Sequence, residues 1–94
     1  MNGEGDAAVN VMSELVTNAV VHGLGPVDVA VVMCPDCVEL HVSDSGRRLP
    51  AERLADPDDE AGRGLAIVRD LSREFSIVAT NTGKTVSAIV PLQR

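Results

Sequence analysis

Four polar residues recur at intervals of four in a segment that contains neither glycine nor proline. They are Asn10, Glu14, Asn18 and His22. In an α-helix, residues four apart share one face, so the four side chains would form a stripe. An amide oxygen is a hard ligand that suits Mg²⁺, and a carboxylate can orient or deprotonate a hydroxyl group. Glu14 and Asn18 thus have the residue types for metal binding and base chemistry, although this spacing alone is more often that of an ordinary polar helix face.

Two glycine-containing motifs offer further groups with a chemical use. Asp44-Ser45-Gly46 follows a predicted strand, where the carboxylate can accept a hydrogen bond from an exocyclic amine and the glycine lets a flat ring approach the backbone. Gly62-Arg63-Gly64-Leu65 opens a predicted helix, where free N–H groups and the helix dipole favour an anion such as phosphate. Each motif taken singly is also common in turns and loops, and neither is a Walker A loop.

The order helix, strand, strand, loop, helix, strand, strand would position these motifs. Asp6 is a good helix N-cap and Gly23 is a helix stop, so the first helix is predicted over 7–22. Hydrophobic patterning and turn residues give the other elements. They are strands at 27–33 and 38–43, a loop at 47–61, a helix at 65–74, and strands at 75–80 and 85–92 joined by a turn at 81–84.

The apolar residues of the first helix fall on one continuous arc, which we expect to face the core, with the polar stripe on the opposite side. The arc consists of Ala8, Val9, Met12, Leu15, Val16, Ala19 and Val20. Two helices on one face of a mixed, mainly antiparallel sheet make a two-layer α/β sandwich. We therefore expect the fold class α/β and a single domain over residues 1–94, with 1–5 as a loose tail.

Composition and charge disfavour several classes of partner. The 94 residues carry a formal net charge of −6, and no basic stripe exists to neutralise the phosphates of a duplex or an anionic membrane surface. No apolar run reaches the length of a membrane span, and the acidic, glycine-rich residues 1–6 are unlike a signal peptide. We therefore expect a cytoplasmic protein that binds neither nucleic acid nor membranes.

The two cysteines, Cys34 and Cys37, have the spacing C-x-x-C. A zinc site would need two more ligands, and a thioredoxin-like motif would place the second cysteine on a helix, whereas a strand is predicted here. We expect two reduced thiols in a hairpin turn. A metal that bridges two chains and a redox switch are the alternatives.

Taken in order, these motifs resemble the sequence boxes of the GHKL ATPases, the Bergerat-fold family. Residues 14–23, ELVTNAVVHG, resemble the N-box; 44–46, DSG, the G1 box; 62–68, GRGLAIV, the G2 box; and 83–92 the closing strand. The wording of the first segment is similar to that of the anti-sigma-factor, serine-kinase-like branch seen in Gram-positive bacteria. The resemblance extends from about residue 6 to residue 92.

This resemblance implies that named residues bind ATP and Mg²⁺. Asn18 would coordinate Mg²⁺, Glu14 would be the general base or would position the attacking hydroxyl, and Asp44 would accept a hydrogen bond from the adenine amino group. The other implied contacts are Gly46, which makes room for the ring, Gly62, Arg63, Gly64 and Leu65 at the phosphates, and Thr85 at the adenine end. His22 would cap the helix or bond the neighbouring loop, and 47–61 would be the ATP lid.

Two departures from the family pattern affect the expected activity and partners. The G1 box usually reads D-x-G-x-G, whereas Arg48 stands at the second glycine of this chain. Family members usually have a strand and a helix before the N-box helix, whereas this chain starts almost at that helix. A missing layer would leave apolar surface uncovered, so we expect a protein partner or a homodimer.

Three functions are compatible with the resemblance. The first is a serine/threonine kinase that transfers the γ-phosphoryl group of ATP to a serine of an anti-anti-sigma-type partner. The second is a non-catalytic module that binds nucleotide, or only the partner, and sequesters a sigma factor or its antagonist; Arg48 and the absent layer favour it. The third, the ATP-binding fragment of a sensor histidine kinase, is the least favoured because the sequence shows no phosphoacceptor helix and no sensor region.

Overall fold

The computed structural model describes residues 6–46 and 60–92, with side chains from residue 65 onward in the second range. The expected order of elements is confirmed. The elements are α1 (Asp6–His22), β1 (Asp28–Met33), β2 (Cys37–Asp44), α2 (Glu60–Leu71), β3 (Glu74–Thr80) and β4 (Gly83–Pro91). The predicted tail, 1–5, and most of the predicted lid, 47–59, lie outside the described residues.

The four strands form one sheet in the order β1-β2-β4-β3. A mixed, mainly antiparallel sheet was predicted, and every neighbouring pair in the described part is antiparallel. α1 packs on β2 and β4, and α2 packs on β3, β4 and α1. The expected two-layer α/β fold is thereby confirmed.

Alternation along the two central strands separates the core from the open face of the sheet. In β2, Leu40 and Val42 are buried while the residues between them are half-buried, and β4 repeats this pattern at Val86, Ala88 and Val90. Successive side chains of a strand point to opposite faces. The even-numbered residues of β2 and β4 therefore face the helices, and the odd-numbered residues form the open face.

Burial along α1 agrees in part with the predicted arc. The buried residues are Val11, Leu15, Asn18 and Ala19. Of the predicted core arc, Leu15 and Ala19 are buried, and three more residues pack against the core while partly buried: Ala8, Met12 and Val16. Val9 and Val20 are 66% and 64% exposed, whereas Val11, outside the predicted arc, is fully buried. Five of the seven residues predicted for the core face are thus confirmed. The buried face extends beyond the predicted arc to Val11, because α1 buries one side against α2 as well as the side against the sheet.

This extension of the buried face changes the position of the polar stripe. Asn18 is buried, Glu14 is half-buried, and Asn10 and His22 are exposed. The stripe therefore runs along the border of the core, where the sequence had placed it opposite the core.

The bounds of two C-terminal elements differ from the predictions in ways that affect the site. α2 begins at Glu60 and ends at Leu71, so the segment 62–64 lies inside the helix and does not precede it. The turn between β3 and β4 contains only Asn81 and Thr82, and β4 already begins at Gly83. Lys84, predicted in the turn, is therefore a strand residue.

Strand β1 is an exposed edge of the sheet. All six of its residues are exposed, and Val29, Val31 and Met33 pair with core-facing residues of β2. These three side chains lie on the helix side of the sheet yet remain 47%, 52% and 67% exposed, because the helices pack on the other three strands. None of the described helices has the length and apolar character to cross a membrane.

Candidate functional site

The site is centred on the carboxylate of Asp44, the last residue of β2. Its side chain is only 2% exposed. The backbone N–H groups of Gly46 and Leu24 donate to its Oδ1 atom at 2.6 and 3.4 Å. Ser45 N in turn donates to Leu24 O at 2.7 Å, which ties the turn after β2 to the segment after α1. The end of α1 and the Asp-Ser-Gly turn thus meet at this carboxylate.

Three glycines lie against Asp44 because larger residues would collide with its carboxylate or its backbone. A Cβ on Gly23 would lie 2.5 Å from Asp44 Cγ, and a Cβ on Gly46 would lie 2.8 Å from Asp44 Oδ1. A Cβ on Gly83 would meet the backbone of Asp44 and would lie 2.8 Å from Ser45 Cα. The sequence predicted Gly23 only as the residue that ends α1. In the structure it also lines the candidate site, next to the Asp44 carboxylate.

A basic residue that the sequence did not predict here, Lys84, lies beside this carboxylate. Lys84 Nζ donates to Asp44 Oδ1 at 2.9 Å, and the Lys84 side chain is 3% exposed. Asp44 pairs with Lys84 in the register of β2 and β4, and both residues belong to the helix-facing set. The sequence signal was present, because the strand alternation through Val86 and Ala88 extends to Lys84 once the turn is shortened.

Asn18 and Glu14 approach the core from α1. Asn18 is 8% exposed, and its Oδ1 atom is buried without a hydrogen-bond partner in the described part of the chain. Buried polar atoms are nearly always paired, so an unpaired one calls for a ligand or another explanation. Glu14 lies one turn earlier, half-buried, with no hydrogen bond or ion pair to a described residue.

Thr85, assigned to the adenine end, lies on the open face of the sheet. Its hydroxyl is 2.7 Å from the hydroxyl of Ser43, the residue opposite it on β2. Asp44 and Lys84 point to the other face, because alternation reverses at each residue. The Thr85 side chain therefore lies on the opposite face of the sheet from the Asp44 carboxylate. The residue of β4 that lies beside this carboxylate is Lys84.

Of the residues assigned to the phosphates, Leu65 is buried, and the side chains at 62–64 lie outside the described part. The backbone at Gly62 and Gly64 is helical, two and four residues into α2. Glu60 and Ala61 extend the helix at its N-terminus, since both are good helix formers. The free N–H groups of the helix start therefore lie earlier in the sequence than the motif predicted.

Two further assignments concern polar residues outside this cluster. His22, expected to cap α1, makes no hydrogen bond to a described residue; Gly23 N closes the helix by donating to Ala19 O at 2.9 Å. Cys34 and Cys37 are free and flank the turn between β1 and β2. A hydrogen bond with the Cys37 thiol raises the pKa of Cys34 to about 11, so this thiol stays protonated and is a weak nucleophile at neutral pH.

Comparison with known proteins bears on the fold and the family. Residues 5–90 match the family model of the histidine kinase-like ATPase domain, and 26 chains of solved structures are similar to this one. The histidine kinase domain of the Erythrobacter litoralis EL346 blue-light activated histidine kinase superposes with a TM-score of 0.67 at 22% identity, over 92% of this chain and 43% of that one. No curated protein matches the chain.

A second structure of the Erythrobacter litoralis EL346 kinase gives a TM-score of 0.68 at 22% identity, over 93% of this chain and 31% of that chain. The chain therefore spans less than half the length of these kinases, and the likeness to them shows a shared fold. The family match covers the N-box helix, the Asp-Ser-Gly turn, the second helix and nearly all of the closing strand. The chain belongs to the histidine kinase-like ATPase domain family of the GHKL superfamily.

Proposed function

We propose that this chain binds ATP with Mg²⁺ and transfers the γ-phosphoryl group to a serine of an anti-anti-sigma-type protein in the cytoplasm. The observation that carries the proposal is the buried Asn18 Oδ1 atom, which no described group satisfies. An amide oxygen is among the ligands that Mg²⁺ accepts. The residues therefore fit the cation that the family implies.

The surroundings of Asp44 fit the other end of ATP. A side chain at Gly23 or Gly46 would collide with the carboxylate, and one at Gly83 would collide with the backbone of Asp44, so the three glycines leave room for backbone and carboxylate to approach a flat ring. A carboxylate at this place accepts a hydrogen bond from the adenine amino group. Bound Mg²⁺ would supply electrostatic stabilisation of the phosphates.

Within this proposal, Glu14 orients or deprotonates the serine hydroxyl. It lies one helical turn from Asn18, and its carboxylate has no described hydrogen-bond or ion-pair partner, so it is available to accept a proton. Positioning and charge stabilisation account for most of the rate in phosphoryl transfer, and a base adds to them.

Label transfer tests the kinase assignment. Incubation with γ-labelled ATP and an anti-anti-sigma-type protein is expected to label a serine of that protein. Glu14→Gln is expected to slow transfer by roughly 10²- to 10⁴-fold with little change in ATP affinity, and Ser13→Ala, an exposed neighbour on α1, to leave the rate unchanged. ATP binding without label on the partner would leave the non-catalytic module. Label on His22 or His41 of the chain itself would point to histidine-kinase chemistry.

The edge strand β1 supports the expected protein partner, and we propose that it contacts a second copy of the chain. An edge strand with free N–H and C=O groups and apolar side chains is a template for strand pairing. The strand carries one charge, Asp28, and lacks the inward lysine, proline or bulge that prevents edge strands of other proteins from pairing with a further strand. Pairing two copies antiparallel about Val31 would place Val29 opposite Met33 and Ala30 opposite Val32, so every such pair is apolar.

A charge on this edge is expected to remove the association. The wild-type chain should sediment above the mass of one chain at micromolar concentration, whereas Val31→Lys should sediment as one chain, because a lysine opposite its own copy repels and must be desolvated. Val78→Lys is the matched control, since Val78 is 56% exposed on the other edge strand, β3. A wild-type mass of one chain contradicts the pairing.

A further inference from the structure

Lys84 is the only lysine in the sequence, and it is buried. In a chain of net charge −6, a single lysine would ordinarily stay in solvent near the acidic surface. Lysine is almost never buried unless it is paired. Here the residue is 5% exposed, and its Nζ atom lies 2.9 Å from Asp44 Oδ1. The burial of this ion pair is therefore unusual, and the hydrogen bonds around Asp44 indicate what the pair does.

The described donors around Asp44 all reach the same oxygen atom. Oδ1 accepts from Gly46 N, Lys84 Nζ and Leu24 N, at 2.6, 2.9 and 3.4 Å. An ionised carboxylate has about four lone-pair sites on two oxygens. Oδ1 is thus fully used, whereas Oδ2 receives no hydrogen bond from a described residue. Among the residues that the structure describes, the carboxylate is thus held by one oxygen, and its other oxygen is left for a further donor.

We propose that Lys84 is a positioning residue for base recognition: it clamps Asp44 Oδ1, so that Oδ2 is presented to the exocyclic amino group of the purine. This inference rests on the proposed binding of ATP at Asp44. The terminal torsion of an aspartate is broad, so without a strong donor the carboxylate would exchange its two oxygens. The ammonium group also offsets part of the cost of burying the carboxylate, since an unpaired buried charge is costly.

Comparison of two nucleotides measures this role directly. ATP carries the 6-amino group, and purine riboside 5′-triphosphate lacks it but has the same sugar and phosphates. A hydrogen bond to a charged acceptor is worth about ten- to hundredfold in affinity. Calorimetric titration of the wild-type chain is therefore expected to favour ATP by about that factor.

Lys84→Met is expected to bring this ratio close to one. Its affinity for purine riboside triphosphate should change little, because the sugar and phosphate contacts do not involve Asp44. Arg73→Met is the matched control, because the Arg73 side chain is 47% exposed and lies 3.6 Å from Asp36, outside the site. It should keep the wild-type ratio.

The outcomes separate this inference from the proposed function. If the wild-type chain binds neither nucleotide, ATP binding itself fails. If it binds ATP and Lys84→Met keeps the wild-type ratio, or weakens both nucleotides equally, Lys84 has only a structural role and the inference is overturned. Should Lys84→Met not fold, Lys84→Gln replaces it: the neutral amide can still donate one hydrogen bond, and an intermediate ratio is expected. An unchanged ratio in that variant also overturns the inference.

Discussion

Replacement of Asn18 by leucine is expected to abolish Mg²⁺-dependent ATP binding while making the fold more stable. The two effects have the same origin. Asn18 Oδ1 is buried and unpaired among the described residues, and an unsatisfied buried polar atom costs about 1–3 kcal/mol. Leucine has the same branching and the same number of side-chain heavy atoms but no polar atom, so it removes that cost. It also removes the proposed Mg²⁺ ligand.

Two measurements test this pair of effects. Calorimetry with and without Mg²⁺ should show at least a roughly hundredfold loss of ATP affinity, about 2.7 kcal/mol. Thermal unfolding without nucleotide should show a rise of several degrees, because about 1 kcal/mol shifts the midpoint of a domain this small by roughly 4–8 °C. Loss of binding in a more stable protein cannot be attributed to misfolding.

The control for Asn18 lies on the same helix. Asn10 is also an asparagine of the predicted stripe, but it is exposed, so Asn10→Leu should leave ATP affinity and the midpoint nearly unchanged. Equal loss of binding in both variants would contradict a specific role for Asn18. A lower midpoint in Asn18→Leu would mean that the amide has a structural partner.

The order and type of the elements could be predicted from local signals. Gly23 ends α1, the valine-rich runs form strands, and the Asp-Ser-Gly segment ends β2, because each of these depends on a few neighbouring residues. The orientation of α1 depends on where α2 packs, which the sequence of α1 does not contain. Asn18, predicted as a site residue, was therefore expected on the side of the helix away from the core, whereas it is buried.

The closing strand shows how a small error in a turn changes the chemistry of a site. A four-residue turn at 81–84 left Lys84 out of the strand and made Thr85 its first residue. Because side chains alternate with a period of two, the residue that faces the helices is decided by parity. Val86 and Ala88 belong to the core, so Lys84 faces the site and Thr85 faces away. The alternation along β4 could be predicted from the sequence. The ion pair between Lys84 and Asp44 could not, because it depends on the register between β2 and β4.

A double-mutant cycle on the buried ion pair is the second large effect that we expect. Asp44→Ala leaves the Lys84 ammonium buried without its partner, and breaking a buried pair in this way typically costs about 3–5 kcal/mol. That is a large part of the roughly 5–15 kcal/mol that stabilises a domain. Lys84→Met should be destabilising for the same reason. The double variant, Asp44→Ala with Lys84→Met, should lose less free energy of unfolding than the two single variants lose in sum.

Urea denaturation gives the free energy of unfolding of the wild-type chain, the two single variants and the double variant. The values are comparable when the slope of this free energy against urea concentration is the same in all four. The exposed pair of Arg73 and Asp36, with side chains 47% and 69% exposed at 3.6 Å, provides the comparison cycle. Its coupling should be below about 1 kcal/mol. Additive effects at Asp44 and Lys84 would contradict a direct interaction between the two charges.

The double variant also separates what the pair does for the fold from what it does for a ligand. With both charges gone, no buried charge is left uncompensated, and such replacements are often neutral for stability. The acceptor for the base is gone as well, so ATP affinity should stay low in a protein that folds. A buried pair that is dispensable for folding but needed for binding is retained for the ligand. Recovery of both stability and ATP affinity in the double variant would place the base elsewhere in the fold.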